Sequence, residues 1–340
     1  MRNILQIQKQ LLPDLMQILH TRYDILQRIA RTGTIGRRSL AADVGLSERV
    51  LRSELDVLRS QGLLMAGSSG MTLSEQGVRL LEELGPLVNE LFGLTDLEAR
   101  VREAFGLRRV VVVPGDSDDS EHVKWEIGRA GARMLRDSLS PGDVVAVMGG
   151  STMHRMAAQF QMSGAQHDNW FVPARGGLGE SVDTQANTIA SELAKRAGAR
   201  YRMLHVPDHL SEEAYQSMMQ EPGVKEVVDM IRGARIVVHG IGDAVTMARR
   251  RKLSEATIDE IRRDGALAEA FGYYFDRQGK AVHRMATVGI RLEDIQSAEV
   301  VIGIAGGRSK GEAIASVLRF GHNDMLVTDE AAAEEALRHV

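Results

Sequence analysis

The chain has 340 residues, 44% of them hydrophobic and 26% charged, with a formal net charge of -4 and no cysteine. Such a length and balance predict a globular chain of about two to three domains, while the missing thiols exclude disulfides and thiolate metal sites. The small negative charge excludes a basic coat over the whole surface, so any nucleic-acid contact has to be a local patch.

The opening MRNILQIQKQLLP carries no signal-peptide core, and the longest apolar runs, such as residues 110–113, fall far short of the roughly 20 residues that span a bilayer. A cytoplasmic location without a membrane partner is expected. Residues 4–12 and 13–31 show helical spacing, with Pro13 placed to open the second helix, and both read as core or dimer helices. Residues 22–59 hold eight arginines (Arg22, Arg28, Arg31, Arg37, Arg38, Arg49, Arg52, Arg59) against five carboxylates (Asp24, Asp43, Glu48, Glu54, Asp56). A local surplus of three positive charges therefore sits on an acidic chain.

Inside this patch residues 37–44 predict a short helix, Gly45 and Leu46 a tight turn, and Ser47 the N-cap of a second helix reaching about residue 60. On that second helix Leu51, Leu55 and Leu58 form one stripe, and Arg49, Arg52, Ser53 and Asp56 recur on the other side. This is the pattern of a helix-turn-helix, whose second helix buries one face and offers short polar and arginine side chains to bases and phosphates. Arg37, Arg38, Ser47, Arg49, Arg52 and Ser53 are the expected DNA contacts. Residues 63–66 and 71–73, on either side of a Gly-Ser-rich turn, predict a small hairpin or wing.

Thr72 and Glu75 predict a capping box for a further helix, whose Leu81, Leu84, Val88 and Leu91 alternate steps of three and four. Gly85 and Pro86 interrupt it, which suits a kinked linker between the subunits of a dimer or tetramer. A second box, Thr95 with Glu98, is expected to open the next helix. The domain boundary is set near Leu91, giving a winged helix-turn-helix domain with linker over 1–91 and an effector domain over 92–340.

From residue 109 onward strand-like runs alternate with helical patterns, at 109–114, 143–148, 169–173, 200–206, 235–239, 300–305 and 325–328. Such alternation predicts an α/β fold, a doubly wound, mostly parallel, Rossmann-like sheet with ligands bound beyond the carboxyl ends of its strands. Glycine turns follow four of these strands: Gly149 and Gly150, Gly176 and Gly177, Gly240 and Gly242, Gly306 and Gly307. Residues 271–275 and 281–284 read as an inserted hairpin.

The chemistry suggested at these turns is anion binding. Gly149, Gly150, Ser151 and Thr152 combine free amides, two hydroxyls and a helix start. In FVPARGGLGESVDTQAN, residues 171–187, Arg175 offers a planar fork of donors among glycines. Lys310 adds a point charge at another strand end, Arg249, Arg250 and Arg251 form a basic run, and Glu269 is placed to accept sugar hydroxyls. There is no GxxxxGK[ST] sequence, so a nucleotide-hydrolysing P-loop is not expected.

The helix-turn-helix together with GGST, PARGGLGE, HGIGDA, FGYYF and AGGRSKGEAI resembles the SorC family of bacterial sugar-responsive regulators across essentially the whole chain. The resemblance implies an effector domain similar in fold to sugar-phosphate isomerases, and a repressor of glycolytic genes released from operator DNA by a phosphorylated sugar, fructose-1,6-bisphosphate foremost. It implies a pocket made of Gly149, Gly150, Ser151, Thr152, Arg175, Gln185, Arg250, Arg251, Glu269 and Lys310; no cofactor and no metal-ligating residue is expected. Ser151 stands where a threonine is usual, and Arg308 brings an extra charge beside Lys310. The competing reading is an isomerase that still turns over a sugar phosphate with His239, Asp183 or Glu269 as base. No base in the sequence is paired with an orienting partner, and an isomerase has no use for the helix-turn-helix, so a sensor without catalysis is expected.

Overall fold

The computed structural model describes residues 13–67, 70–84, 93–162, 164–165, 167–177, 181–207, 212–285 and 287–340. The chain divides into two compact units, Met1–Asp96 with Asp119–His122, and Leu97–Asp118 with Val123–Val340. The helix expected over 4–12, the Gly85-Pro86 break and the boundary near Leu91 lie outside the described residues.

The first unit is a winged helix-turn-helix. Helices Pro13–Thr32, Arg37–Asp43 and Glu48–Ser60 are followed by antiparallel β1 (Leu64–Gly67) and β2 (Gly70–Leu73), with Leu64 opposite Leu73. Ser47 caps the third helix by accepting the Val50 amide at 3.3 Å, satisfying one of the open first-turn donors. Leu51, Leu55 and Leu58 pack against Ile25, Ile29, Leu40 and Met71 in one core. Ile35 and Met71 exchange backbone bonds of 3.2 and 3.0 Å, which ties the wing to the segment before the second helix.

Among the described side chains, Arg22 and Arg28 belong to this framework. Arg22 donates to Glu54 and Arg28 to Asp43, each at 2.7 Å. Because each pair is neutral, the positive surplus of the patch is unchanged. The cap of helix Glu75–Leu84 differs from expectation: Ser74 accepts the Gly77 amide at 3.0 Å and donates to the Gly62 carbonyl at 2.6 Å. Thr72 is held in the wing opposite Met65, so it is not free to cap.

The second unit is organised by a seven-stranded parallel sheet in the order β3-β13-β12-β7-β4-β5-β6. Its strands are β3 (Arg109–Val113), β4 (Val144–Val147), β5 (Trp170–Pro173), β6 (Arg200–Tyr201), β7 (Ile236–His239), β12 (Val300–Ile304) and β13 (Met325–Asp329). Every residue of β7, β12 and β13 is buried, as expected when both faces of a parallel sheet are covered. The order reverses between β4 and β7, where the chain goes out through β5 and β6 and returns on the other side. Loops leaving these two strands must part there, which opens a crevice.

The run expected over 200–206 pairs as a strand only at Arg200 and Tyr201, on the free edge of the sheet. The inserted hairpin is part of a four-stranded antiparallel sheet in the order β11-β10-β9-β8, made of β8 (Gly242–Asp243), β9 (Ala268–Ala270), β10 (Tyr273–Phe275) and β11 (Ala281–Arg284). Phe271, expected in a strand, forms with Gly272 the two-residue tip between β9 and β10. The expected box of Thr95 with Glu98 is absent: both lie within helix Leu94–Phe105, and Glu98 accepts the Val112 amide at 2.9 Å.

Candidate effector pocket and DNA-reading helix

The crevice at the reversal is a cavity of about 390 Å³. All ten residues named for the effector pocket line it: Gly149, Gly150, Ser151, Thr152, Arg175, Gln185, Arg250, Arg251, Glu269 and Lys310. Chain direction explains the convergence, because β4, β5, β7 and β12 all end toward the same edge.

After β4, Gly149 presses so close to its neighbours that a Cβ there would stand 2.7 Å from the Thr184 carbonyl oxygen, and Gly150 has φ 129°. No side chain caps the helix Ser151–Gln159 that follows. Ser151 and Thr152 line the cavity, where first-turn amides and hydroxyls are placed to meet an outside acceptor. Gln185 reaches the cavity from the start of helix Ala186–Ala197.

Arg175 leaves β5 with its backbone held by a bridge to Gly289, and its side chain is only 5% exposed. Across the cavity Arg251 follows helix Ala244–Arg250 and is equally buried. Both point at Glu269 on β9. Oε1 of Glu269 accepts Arg251 Nη2 at 2.7 Å and the Gly272 amide at 2.9 Å, with Arg175 Nη1 at 3.6 Å. Oε2 accepts none of these donors among the described residues.

Lys310 enters from the turn Arg308–Lys310 after β12. Burial lowers its pKa, as do the like charges of Lys124 and Arg250, and Asp118 and Asp329 partly offset this. Among the described residues lining the cavity, four cationic side chains, Arg175, Arg250, Arg251 and Lys310, thus face two carboxylates, Asp243 and Glu269. Asp243 is engaged as the N-cap of its helix, accepting the Thr246 amide at 2.8 Å. Among these residues positive charge exceeds negative in a partly desolvated place, which suits an anion.

Not every glycine turn and cation contributes. The Gly307 amide donates to Asp329 at 2.7 Å and the Ser309 amide to Asp118 at 2.8 Å, so this loop reaches the cavity through Ser309 and Lys310. Arg308 is drawn away to Asp116, at 3.6 Å, and Arg249 is exposed outside the lining. Of the apolar part of the lining, Ile241 and Phe271 fall within HGIGDA and FGYYF, whereas Met148, Met153 and Met247 belong to no motif in the sequence. Phe271 has φ 58°, a strained value for a bulky residue, and its ring lies against His239 with centroids 4.1 Å apart.

The three candidate bases are poorly placed for proton transfer. His239 is fully buried outside the lining, with Nε2 2.6 Å from Asn323 Oδ1 and Nδ1 3.0 Å from the Gly240 carbonyl, and burial pulls its pKa down to about 4. Asp183 is exposed in a short turn and absent from the lining. Glu269 lines the cavity, with one oxygen held by Arg251 and the Gly272 amide. Among the described residues no group of His, Asp or Glu has the arrangement of a metal site, and no helix is long and apolar enough to cross a membrane.

In the first unit Arg37, Arg38, Ser47, Arg49, Arg52 and Ser53 are all exposed. Arg49, Arg52 and Ser53 lie on the face of helix Glu48–Ser60 that the buried leucines leave to solvent. Arg38 makes a 3.4 Å surface pair with Glu48, an interaction worth little in water. A winged helix-turn-helix carried on the same chain as a cationic crevice at a sheet reversal defines a ligand-responsive DNA-binding regulator.

Comparison with known proteins agrees along the whole chain. Residues 18–88 match the CggR N-terminal DNA binding domain family, and residues 89–338 match the Sugar-bind family of sugar-binding domains. The chain is 47% identical to the central glycolytic genes regulator of Priestia megaterium and 45% identical to that of Bacillus subtilis, each over 99% of both chains. A SorC family transcriptional regulator from Enterococcus faecalis, 41% identical, superposes with a TM-score of 0.67 over 71% of this chain and 99% of its own. The full-length sorbitol operon regulator SorC from Klebsiella pneumoniae, 20% identical, shares the fold over 95% of this chain and 99% of its own, with a TM-score of 0.66. The chain belongs to the SorC family of bacterial sugar-responsive transcriptional regulators, in the group of the central glycolytic genes regulators. It is a DNA-binding regulator with a sugar-binding domain, and not an enzyme.

Proposed function

We propose that the chain represses central glycolytic genes and leaves its operator when a phosphorylated sugar, fructose-1,6-bisphosphate foremost, fills the cavity. The observation that carries this reading is the meeting of four cations and the uncapped start of helix Ser151–Gln159 in one cavity of about 390 Å³. One phosphate would take the amides and hydroxyls of Gly149, Gly150, Ser151 and Thr152 with Lys310, and a second would take Arg175 and Arg250. Gln185 and the Oε2 of Glu269 suit sugar hydroxyls, with Arg251 holding Glu269 in place. On DNA, Arg37, Arg38, Ser47, Arg49, Arg52 and Ser53 would meet bases and phosphates, in a homo-oligomer that reads paired half-sites.

Thermal unfolding of the full chain against fructose-1,6-bisphosphate, fructose 6-phosphate, fructose and inorganic phosphate tests the proposal. A ligand that binds only the folded state at a hundred times its Kd stabilises by about 2.7 kcal/mol. The bisphosphate should give the largest shift, fructose none, and the same bisphosphate should release a bound operator fragment. If no phosphosugar moves the midpoint, or if the bisphosphate binds without weakening DNA binding, the proposal fails.

A further inference from the structure

One exposed residue on the DNA-reading helix is neither basic nor polar nor part of the core. Val50 is the third residue of helix Glu48–Ser60 and is 47% exposed. The helix does not use it for packing, since Leu51, Leu55 and Leu58 fill the buried face. A β-branched side chain is also a poor choice for an exposed helical position on propensity grounds. On an ordinary surface a lone apolar side chain would need no explanation. Here its neighbours on the exposed surface are Arg49, Arg52 and Ser53, and its own amide is pinned by the Ser47 hydroxyl at 3.3 Å. The backbone position is fixed by the cap and χ1 is stiff, so two methyl groups are presented at little cost in entropy.

The apolar feature of a base edge in the major groove is the 5-methyl group of thymine. A recognition helix contacts base edges from its N-terminal residues, and the third residue falls among them. We propose that Val50 reads a thymine 5-methyl, giving the helix an apolar element of sequence choice beside the charged contacts of Arg49 and Arg52. This inference rests on Glu48–Ser60 being the helix that enters the groove.

The test uses the full chain and duplexes that it selects from a random-sequence pool, copied once with dTTP and once with dUTP. The second copy lacks every thymine methyl and keeps the base pairing. The unaltered protein should bind the uracil pool about fourfold more weakly for each methyl that Val50 covers. Val50→Ala should bind the thymine pool more weakly by a similar factor and lose correspondingly less on going to uracil. Equal binding of both pools by the unaltered protein overturns the assignment, as does a Val50→Ala protein with the full methyl dependence. An Arg49→Glu, Arg52→Glu protein separates the two levels of the argument. Should it still bind the thymine pool, the helix itself is not the reader; should it fail to bind while Val50→Ala keeps the methyl dependence, only the valine assignment falls.

Discussion

Glu269 directs the donors of Arg251 and Gly272 to one of its oxygens, and this divides the cavity into groups that hold the wall and groups that can hold a ligand. Removing Arg175 leaves Glu269 with both of its short bonds, so Arg175→Ala should fold and lose ligand. A charge-assisted hydrogen bond contributes about 1.5 to 3 kcal/mol, so Arg175→Ala and Lys310→Ala should each weaken fructose-1,6-bisphosphate roughly tenfold or more. Calorimetry that finds unchanged affinity in both variants would take anion capture away from this edge of the sheet. His239 makes a separate prediction about acid. Its pKa falls from 6.5 to about 4, chiefly by burial, while the bonds to Asn323 and Gly240 and the charge of Glu269 resist the fall. Between those values the unfolded chain binds a proton that the folded chain refuses. The contribution is therefore present above pH 6.5 and is lost as the pH falls toward 4, about 3 kcal/mol in all. Denaturant titrations at pH 7.5 and 4.5 should show a smaller acid loss in His239→Gln than in the parent, and equal losses would place the proton elsewhere.

At the scale of elements, helix Glu48–Ser60 was legible because its signals are local: a serine cap, a leucine stripe and a basic opposite face within 14 residues. Charge reversal of Arg49 and Arg52, both exposed, should abolish operator binding in gel shifts and leave the circular dichroism of the chain unchanged. Retention of binding would remove this helix as the reader. Ser47→Ala should destabilise the unit by about 1 kcal/mol through loss of the cap, as measured by denaturant midpoint. Strands β7, β12 and β13 were legible for a related reason, since fully buried strands are continuous apolar runs, whereas the exposed β6 is shorter than its expected run. What escaped is decided by partners distant in sequence. Strands β8 and β9 are two and three residues long and exist because β8 pairs with β9 and β9 with β10. Thr72 lost the cap to Ser74 because its place opposite Met65 in the wing was already set. The loop after β12 reads as an anion nest until Asp118 and Asp329, about 190 and 22 residues away, take its amides. The ten residues proposed for the effector pocket were legible largely through resemblance to a family. Their glycines and arginines carry a visible signal of their own, whereas Met148, Met153 and Met247 carry none, because apolar lining looks like core.

For the whole molecule, a sugar phosphate can weaken DNA binding only if it binds the DNA-bound and free states unequally. Linkage then requires that operator DNA lower sugar-phosphate affinity by the same factor that the sugar phosphate lowers operator affinity, typically about 5- to 150-fold. Titrating fructose-1,6-bisphosphate with and without saturating operator fragment measures one factor, and titrating operator with and without the sugar measures the other. A factor of one in both titrations would show that the two sites are not coupled. The sheet order also has a consequence for how the protein is made. Strand β3 lies at one edge, and its neighbour in the sheet is β13, whose last residue, Asp329, pairs with Val113. A ribosome adding about 5 to 20 residues per second needs on the order of 10 to 40 s to travel between them. Throughout that interval the helices and wing that read DNA are already synthesised, while the run Arg109–Val113 waits without the strand that will cover its edge. A bare apolar strand is a template for pairing with other chains. Nascent chains arrested before Met325 should therefore aggregate or recruit chaperones more than chains arrested beyond Val340 on a neutral extension, and equal behaviour of the two would show that the edge is protected by other means during synthesis.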